Sequence, residues 1–349
     1  MKITIAWNVW NNYLDVALGS EILRLENQSK GIFEELHLIS QGGYPEPPSE
    51  KQGQYLDGHF FIDYPRVPLL ELHPKFVGVF RVIEGIQKAF RCAEKNNHDF
   101  VIVTNADAWF LSIEKLHHLL QKEEIKASAV SARIGLIVGF ELNFGSCVPY
   151  FDDHYIILNV KECAKHNVFN YDHSARFFSP HFGRLGGIHN ILCCFIDQRV
   201  PKGKFHIYSY EDDTIGQYGD FCGISLLPWQ YQFSTSFLHA NCAQMPSLDN
   251  LRAAFLHDIG FTKYPLIKEY FKDVSPDMSK FSRRHGVLVN KKMMKRKITT
   301  SFYWYSRKSY HTFQILRHKL THAKNKNVHS DTLYFFNKYK HVWPPGISG

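Results

Sequence analysis

Residues 98–111 read HDFVIVTNADAWFL, and within them Phe100-Val101-Ile102-Val103-Thr104 form a short apolar run bounded by polar residues on both sides. A run of this length without polar alternation predicts a strand buried on both faces, the habit of a parallel sheet covered by helices. Directly upstream, residues 78–95 (GVFRVIEGIQKAFRCAEK) place Phe80, Ile83, Ile86, Ala89, Phe90 and Ala93 on one helical face. A long amphipathic helix feeding a buried strand predicts an α/β sheet.

The pattern extends in both directions. Residues 2–7 (KITIAW) read as a buried strand, 12–25 (NYLDVALGSEILRL) as a helix, 36–40 (LHLIS) as a strand and 59–62 as a short one. The Gly- and Pro-rich QGGYPEPPSEKQGQ marks a loop between the last two. Alternation of β and α up to residue 104 predicts a doubly wound sheet. Beyond it come strands near 134–141, 154–159 and 204–209 and a helix at about 187–198; after Pro246 helices dominate (SLDNLRAAFLHDIG, YPLIKEYFKD). Internal repeats and low-complexity tracts are absent from the sequence.

Composition narrows the class. The 349 residues suit one large α/β unit with an appendage, and 44% hydrophobic with 21% charged residues can bury a core of that size. MKITIAWNV lacks a basic-then-apolar leader, and the most apolar window, GGIHNILCCFI, is broken by His189 and Asn190. Seven cysteines without a C-x-x-C pair fit neither a disulfide framework nor a zinc site and predict reduced thiols. A cytoplasmic protein is therefore expected. The net charge of +8 is concentrated from Ser279 to Lys340, in KFSRRHG, NKKMMKRK, YSRKSYH, LRHKLTHAKNKN and NKYK. Hence the expected organisation is a catalytic domain over 1–278 and a basic, mainly helical extension over 279–349.

Three short patterns carry chemistry. Asn105-Ala106-Asp107 follows the buried strand, so its carboxylate stands at the C-terminal edge of the sheet, where open α/β folds bind ligands. An Asp there can hold Mg²⁺ or Mn²⁺ as a hard oxygen ligand, or it can satisfy its own turn. Tyr210-Glu211-Asp212-Asp213 puts three acids between a strand and a helix, more than a helix cap requires. His239 ends the apolar stretch Ser236-Phe237-Leu238.

In that order the three patterns resemble the GT-A glycosyltransferases, over about residues 1–240. That family opens with a strand and a nucleotide-binding loop, places an Asp-x-Asp motif behind an inner strand, opens a helix with x-Glu-Asp and adds a late metal-binding His. Here the counterparts are Thr4 to Asn12, Asn105-Ala106-Asp107, Tyr210-Glu211-Asp212 and His239. The resemblance implies a Rossmann-like mixed sheet flanked by helices, a nucleotide-sugar donor, a glycan or lipid-linked hydroxyl acceptor and a Mn²⁺ or Mg²⁺ cofactor. Asp107 and His239 would be metal ligands. Asn105 replaces the motif's first acid and would contact ribose, or the metal through water. Asp212 would be the general base of an inverting transfer, beside Glu211 and Asp213. Trp7, Asn8 and Asn12, with Arg81 near the start of the long helix, would meet the nucleotide. Surface glycan assembly such as lipopolysaccharide or capsule is the setting the resemblance suggests.

Two weaker stretches are Tyr150-Phe151-Asp152-Asp153-His154-Tyr155, an acceptor loop or a plain turn, and Gly186-Gly187-Ile188-His189-Asn190, a close backbone approach or a helix start. Two other functions compete. A nucleotidyltransferase that makes sugar nucleotides would carry Gly and basic residues after the first strand, and WNVWNNYLD has neither. A basic nucleic-acid binder would leave the acids around Asp107 and Asp212 facing a phosphate backbone, so no nucleic acid is expected. The mix of Lys and Arg with Met, Phe, Tyr and Trp after Ser279 instead suits the inner face of an anionic membrane.

Overall fold

The computed structural model describes residues 1–9, 13–43, 47–62, 77–138, 147–170, 188–208, 231–233, 236–240, 248–272, 281–282, 287–288, 338–339 and 341; for Arg81, Asp152, Asp153 and His239, among others, it describes the backbone alone. In chain order the elements are β1 (Lys2–Val9), α1 (Tyr13–Lys30), β2 (Glu35–Gly42), α2 (Glu50–Gly53), β3 (Gly58–Phe61), α3 (Val77–Lys95), β4 (Phe100–Asn105), β5 (Ala108–Phe110), α4 (Ile113–Gln121), α5 (Glu123–Ala127), β6 (Val130–Val138), β7 (Cys147–Asn159), α6 (Val160–Lys165), α7 (Ile188–Arg199), β8 (Phe205–Tyr208), β9 (Tyr231–Phe233) and β10 (Phe237–Ala240). They are followed by α8 (Leu248–Asp258), a 3₁₀ turn at Phe261–Lys263, α9 (Pro265–Tyr270), and the two-residue strands β11 (Phe281–Ser282) and β12 (Val287–Leu288).

Seven strands form one mixed sheet in the order β3-β2-β1-β4-β7-β6-β8, bearing out the α/β expectation. The run FVIVT lies at its centre: Val101 and Val103 belong to one core cluster, Phe100 and Ile102 to the other. The first core gathers α3, α6 and α7, the second α1, α4 and α5, so helices cover both faces. On α3, Ile83, Ile86, Ala89, Phe90 and Ala93 are buried as the periodicity requires.

β3, β2, β1 and β4 are parallel neighbours, whereas β7 enters antiparallel between β4 and β6. β6 and β7 also pair antiparallel with each other, so the sheet is mixed, as the resemblance implied. β6 begins at Val130, earlier than the strand expected near 134. The stretch Tyr150–Tyr155 is neither loop nor turn: it lies inside β7, where the register steps from Ala132↔Ile156 to Arg133↔Asp152. The paired aspartates thus sit at a bulge, which lengthens one strand locally.

Three features were not foreseen by periodicity. In α4, Ile113, Leu116, Leu119 and Leu120 turn inward behind an N-cap in which Ser112 accepts from the Lys115 amide. β5 and β10 pair antiparallel, with β9 beyond, as a small second sheet. Finally, α8 and α9 pack with α1 around Leu18, Ile22, Trp109, Phe255 and Ile267 in a third core. No helix among the described residues is long and apolar enough to cross a membrane.

Candidate functional site

Strands β2, β1 and β4 end side by side, and their register aligns Gln41 with Asn8 and Asn8 with Asn105. Alternation along each strand puts all three carboxamides on the face covered by α3, while Trp7 and Thr104 point to the opposite face. Helix α3 meets this row at Gly85, where a Cβ would lie 2.9 Å from Gln41 Nε2 and 3.3 Å from Asn8 Oδ1. A side chain at this position would have to displace the Gln41 carboxamide from the row. Arg81 stands one helical turn before Gly85.

Within the row, Gln41 Nε2 donates to Asn8 Oδ1 at 3.0 Å. Among the described residues, Asn8 Nδ2 and Gln41 Oε1 are then buried without a hydrogen-bond partner, and Thr104 Oγ1 is in the same state on the other face of the sheet. Each buried polar group so left costs about 1–3 kcal/mol. For the two on the α3 face, a ligand offering both a donor and an acceptor would offset that cost. A nucleobase edge or a ribose offers both.

The chain then turns at Ala106-Asp107 and enters β5. This turn is fixed on every side: the Ala106 amide donates to the Asn8 carbonyl at 3.0 Å, the Trp109 indole to the Ala106 carbonyl at 3.0 Å, and the Trp7 indole to the Ala108 carbonyl at 3.3 Å. Asp107 is half-buried at the apex of the turn. β10 pairs with β5 so that His239 stands opposite Ala108, one residue past Asp107. β10 is tied down in turn, with the Tyr155 hydroxyl donating to the Leu238 carbonyl at 3.3 Å and the Leu111 amide to the Ser236 carbonyl at 2.6 Å.

Asn8, Asn105, Asp107 and the backbone of His239 are thereby gathered at one edge. Trp7 is not part of that edge. Its ring is fully buried in the core on the other face, and its N–H holds the turn. Asn12, Glu211, Asp212 and Asp213 lie outside the described residues. Among the described residues no group of three or more His, Cys, Asp and Glu side chains could hold a metal. Asp107 offers one hard oxygen ligand, suited to Mn²⁺ or Mg²⁺ when a diphosphate and a second protein ligand complete the shell. Gln41, Gly85 and Thr104 were not anticipated, since a single Gln or Thr at a strand end carries no sequence signal until the register shows its neighbours.

No protein-family model matches the chain, and no curated protein matches it in sequence. Among solved structures, the chain is similar to a glycosyltransferase involved in glycosylation of the major capsid of PBCV-1, at 11% identity over 60% of this chain and 82% of that one, with a TM-score of 0.33. It is similar to core-mannan synthase A from Aspergillus fumigatus in its Mn/GDP form, at 8% identity over 60% and 73%, TM-score 0.33. A third similarity is to a 4-diphosphocytidyl-2C-methyl-D-erythritol synthase, at 8% identity over 60% and 89%, TM-score 0.35. Scores of this size assign no function.

Proposed function

We propose that this chain is a GT-A type glycosyltransferase, moving a sugar from a nucleotide-diphosphate sugar to a hydroxyl acceptor. One juxtaposition carries the proposal: a row of carboxamides at the C-terminal sheet edge, in which Asn8 Nδ2 and Gln41 Oε1 are buried and unpartnered among the described residues, runs directly into a turn bearing a carboxylate. In this proposal Asn8 Nδ2 donates to the nucleoside and Gln41 Oε1 accepts from it, with Asn105 and Arg81 beside the ribose and phosphates. Asp107 and His239 would hold Mn²⁺ or Mg²⁺, an ion that would supply charge neutralisation for a departing diphosphate.

The acceptor hydroxyl has a high pKa and needs a carboxylate base; Asp212 is assigned that role, with Glu211 and Asp213 next to it. Attack opposite the leaving group then inverts the anomeric centre. A glycan or lipid-linked acceptor in surface polysaccharide assembly suits the basic stretch after Ser279, which would rest on an anionic inner membrane face.

A panel of UDP-, GDP- and CMP-sugars, assayed with Mn²⁺ by thermal shift and hydrolysis, tests the proposal. One donor is expected to bind and be cleaved. Asp107→Ala abolishes its metal-dependent binding without unfolding the chain, and His239→Ala weakens it less because water replaces one neutral ligand. Asp212→Asn keeps binding but slows transfer by about 10²- to 10⁴-fold. Unchanged donor affinity in Asp107→Ala removes that residue from the site, and a product of retained configuration excludes the inverting route.

A further inference from the structure

We propose that Arg252, on α8, is a positioning residue for the Asp107 turn and acts through the indole of Trp109. Arg252 is 1% exposed, and its Nη1 donates to Asp15 Oδ1 of α1 at 2.7 Å. Replacing a buried ion pair by apolar side chains is often neutral for stability, so the pair's value lies in the geometry it fixes. That geometry converges on one ring. The guanidinium carbon stands 4.7 Å from the Trp109 ring centroid, with the Phe271 and Tyr270 rings at 5.6 and 5.9 Å around the same cation.

Gly19 of α1 also meets this ring: a Cβ there would come within 2.7 Å of Trp109 Cδ1. The indole is therefore gripped by α1 and α8, which Asp15 and Arg252 bolt together. Its N–H reaches the Ala106 carbonyl, and the same residue's amide is held by Asn8. Both hydrogen-bonding groups of Ala106 are thus occupied, one from β1 and one from the clamped indole, and Asp107 is the next residue. Without the guanidinium the ring gains freedom, the Ala106 carbonyl loses its donor and the Asp107 carboxylate is no longer aimed. A misplacement of about 1 Å at a reacting site can cost on the order of 10²-fold in rate. The functional consequence rests on Asp107 binding the donor; the clamp itself does not.

Hydrogen exchange of the peptide spanning residues 103–110 tests the clamp in Arg252→Met, Arg252→Lys and Trp109→Phe. Glu21→Gln serves as control, because Glu21 accepts the Leu266 and Ile267 amides at the same α1 interface. Arg252→Met and Trp109→Phe are expected to speed exchange in the turn by about tenfold relative to a control of matched urea midpoint. Arg252→Lys, which keeps the charge for Asp15 but not the planar face, falls between them and wild type. If Arg252→Met does not fold, the Lys and Phe variants carry the comparison. Binding of UDP and GDP with Mn²⁺ should weaken in the same rank order and stay at the wild-type level in Glu21→Gln. Exchange that is unchanged, or that moves only in step with global stability, overturns the proposal. Faster turn exchange in a protein whose wild type binds neither nucleotide supports the clamp and removes the donor assignment.

Discussion

Gly19 illustrates how a single missing Cβ decides a contact. Alanine is the better helix former by about 1 kcal/mol, which on its own makes Gly19→Ala stabilising in the interior of α1. The added methyl would instead meet Trp109 Cδ1 at 2.7 Å, against a ring that is fully buried and hydrogen-bonded. Overpacking of this kind costs about 1–3 kcal/mol, so the steric effect wins. Gly19→Ala should lower the urea midpoint, and a midpoint at or above wild type would mean that α1 slides to make room. Gly31 is the contrasting case: its φ of 61° ends α1 in the left-handed region, and nothing stands within 4 Å of its Cβ position. Asp107 could be singled out from the sequence because an acid behind a buried strand is a pattern. Gln41 could not, because its meaning comes from facing Asn8 across a ladder.

The opposite, N-terminal edge of the sheet holds a buried histidine whose titration sets a stability window. His98 has a 3% exposed side chain, and its Nδ1 lies 2.7 Å from the Thr4 hydroxyl. Glu35 on β2 stands 3.7 Å from its Nε2, the His37 ring packs edge-on at 5.9 Å, and Lys2 on β1 and Asp99 flank it. From α3, Cys92 faces His37 at 3.9 Å, its thiol kept neutral by burial. Burial dominates and pulls His98 below the ordinary 6.5, with Glu35 and Asp99 opposing and His37 and Lys2 reinforcing. The folded chain therefore prefers neutral imidazole. Stability from this group is present above 6.5 and is lost as acidification protonates the unfolded chain first. Burial acts on His206 of β8 with the same sign. The urea midpoint should fall between about pH 7.5 and 5.5, and His98→Asn should flatten part of that fall. An identical pH slope in the variant would assign the loss to other groups.

The path of the chain after α9 bears on how the basic stretch can be tested. Tyr339, inside the expected extension, is 7% exposed, meets Phe205 of β8 edge-on at 5.5 Å and joins the α3-side core. Lys338 pairs with Asp197 of α7. Truncation after residue 278 would remove this anchor together with the charge. Replacing Lys291, Lys292, Lys295, Arg296 and Lys297 by Gln removes charge alone, where each basic residue near an anionic surface contributes about 1 kcal/mol. Wild type is expected to sediment with vesicles of anionic lipid at low salt and to be released at high salt, and the Gln variant to stay in solution. Equal binding of both proteins, or binding to neutral vesicles, would give the stretch another role.

The sequence by itself determined β1, α1, most of β2, β3, α3 and β4, because an amphipathic helix and a doubly buried strand each write their period into neighbouring residues; residues 41–54, read as a loop, instead close β2 and hold the short helix α2. It also located Asp107 at a strand end. Periodicity is a property of one segment, however, and says nothing about which segment lies alongside. The antiparallel entry of β7, the bulge that follows Asp152, and the alignment Gln41–Asn8–Asn105 are set by pairing between distant strands. So is the meeting of Asp15 with Arg252, which are 237 residues apart in the chain. Only the tertiary structure decided these, since the free energy that fixes them comes from burying surfaces and closing hydrogen bonds between segments that carry no mark of one another.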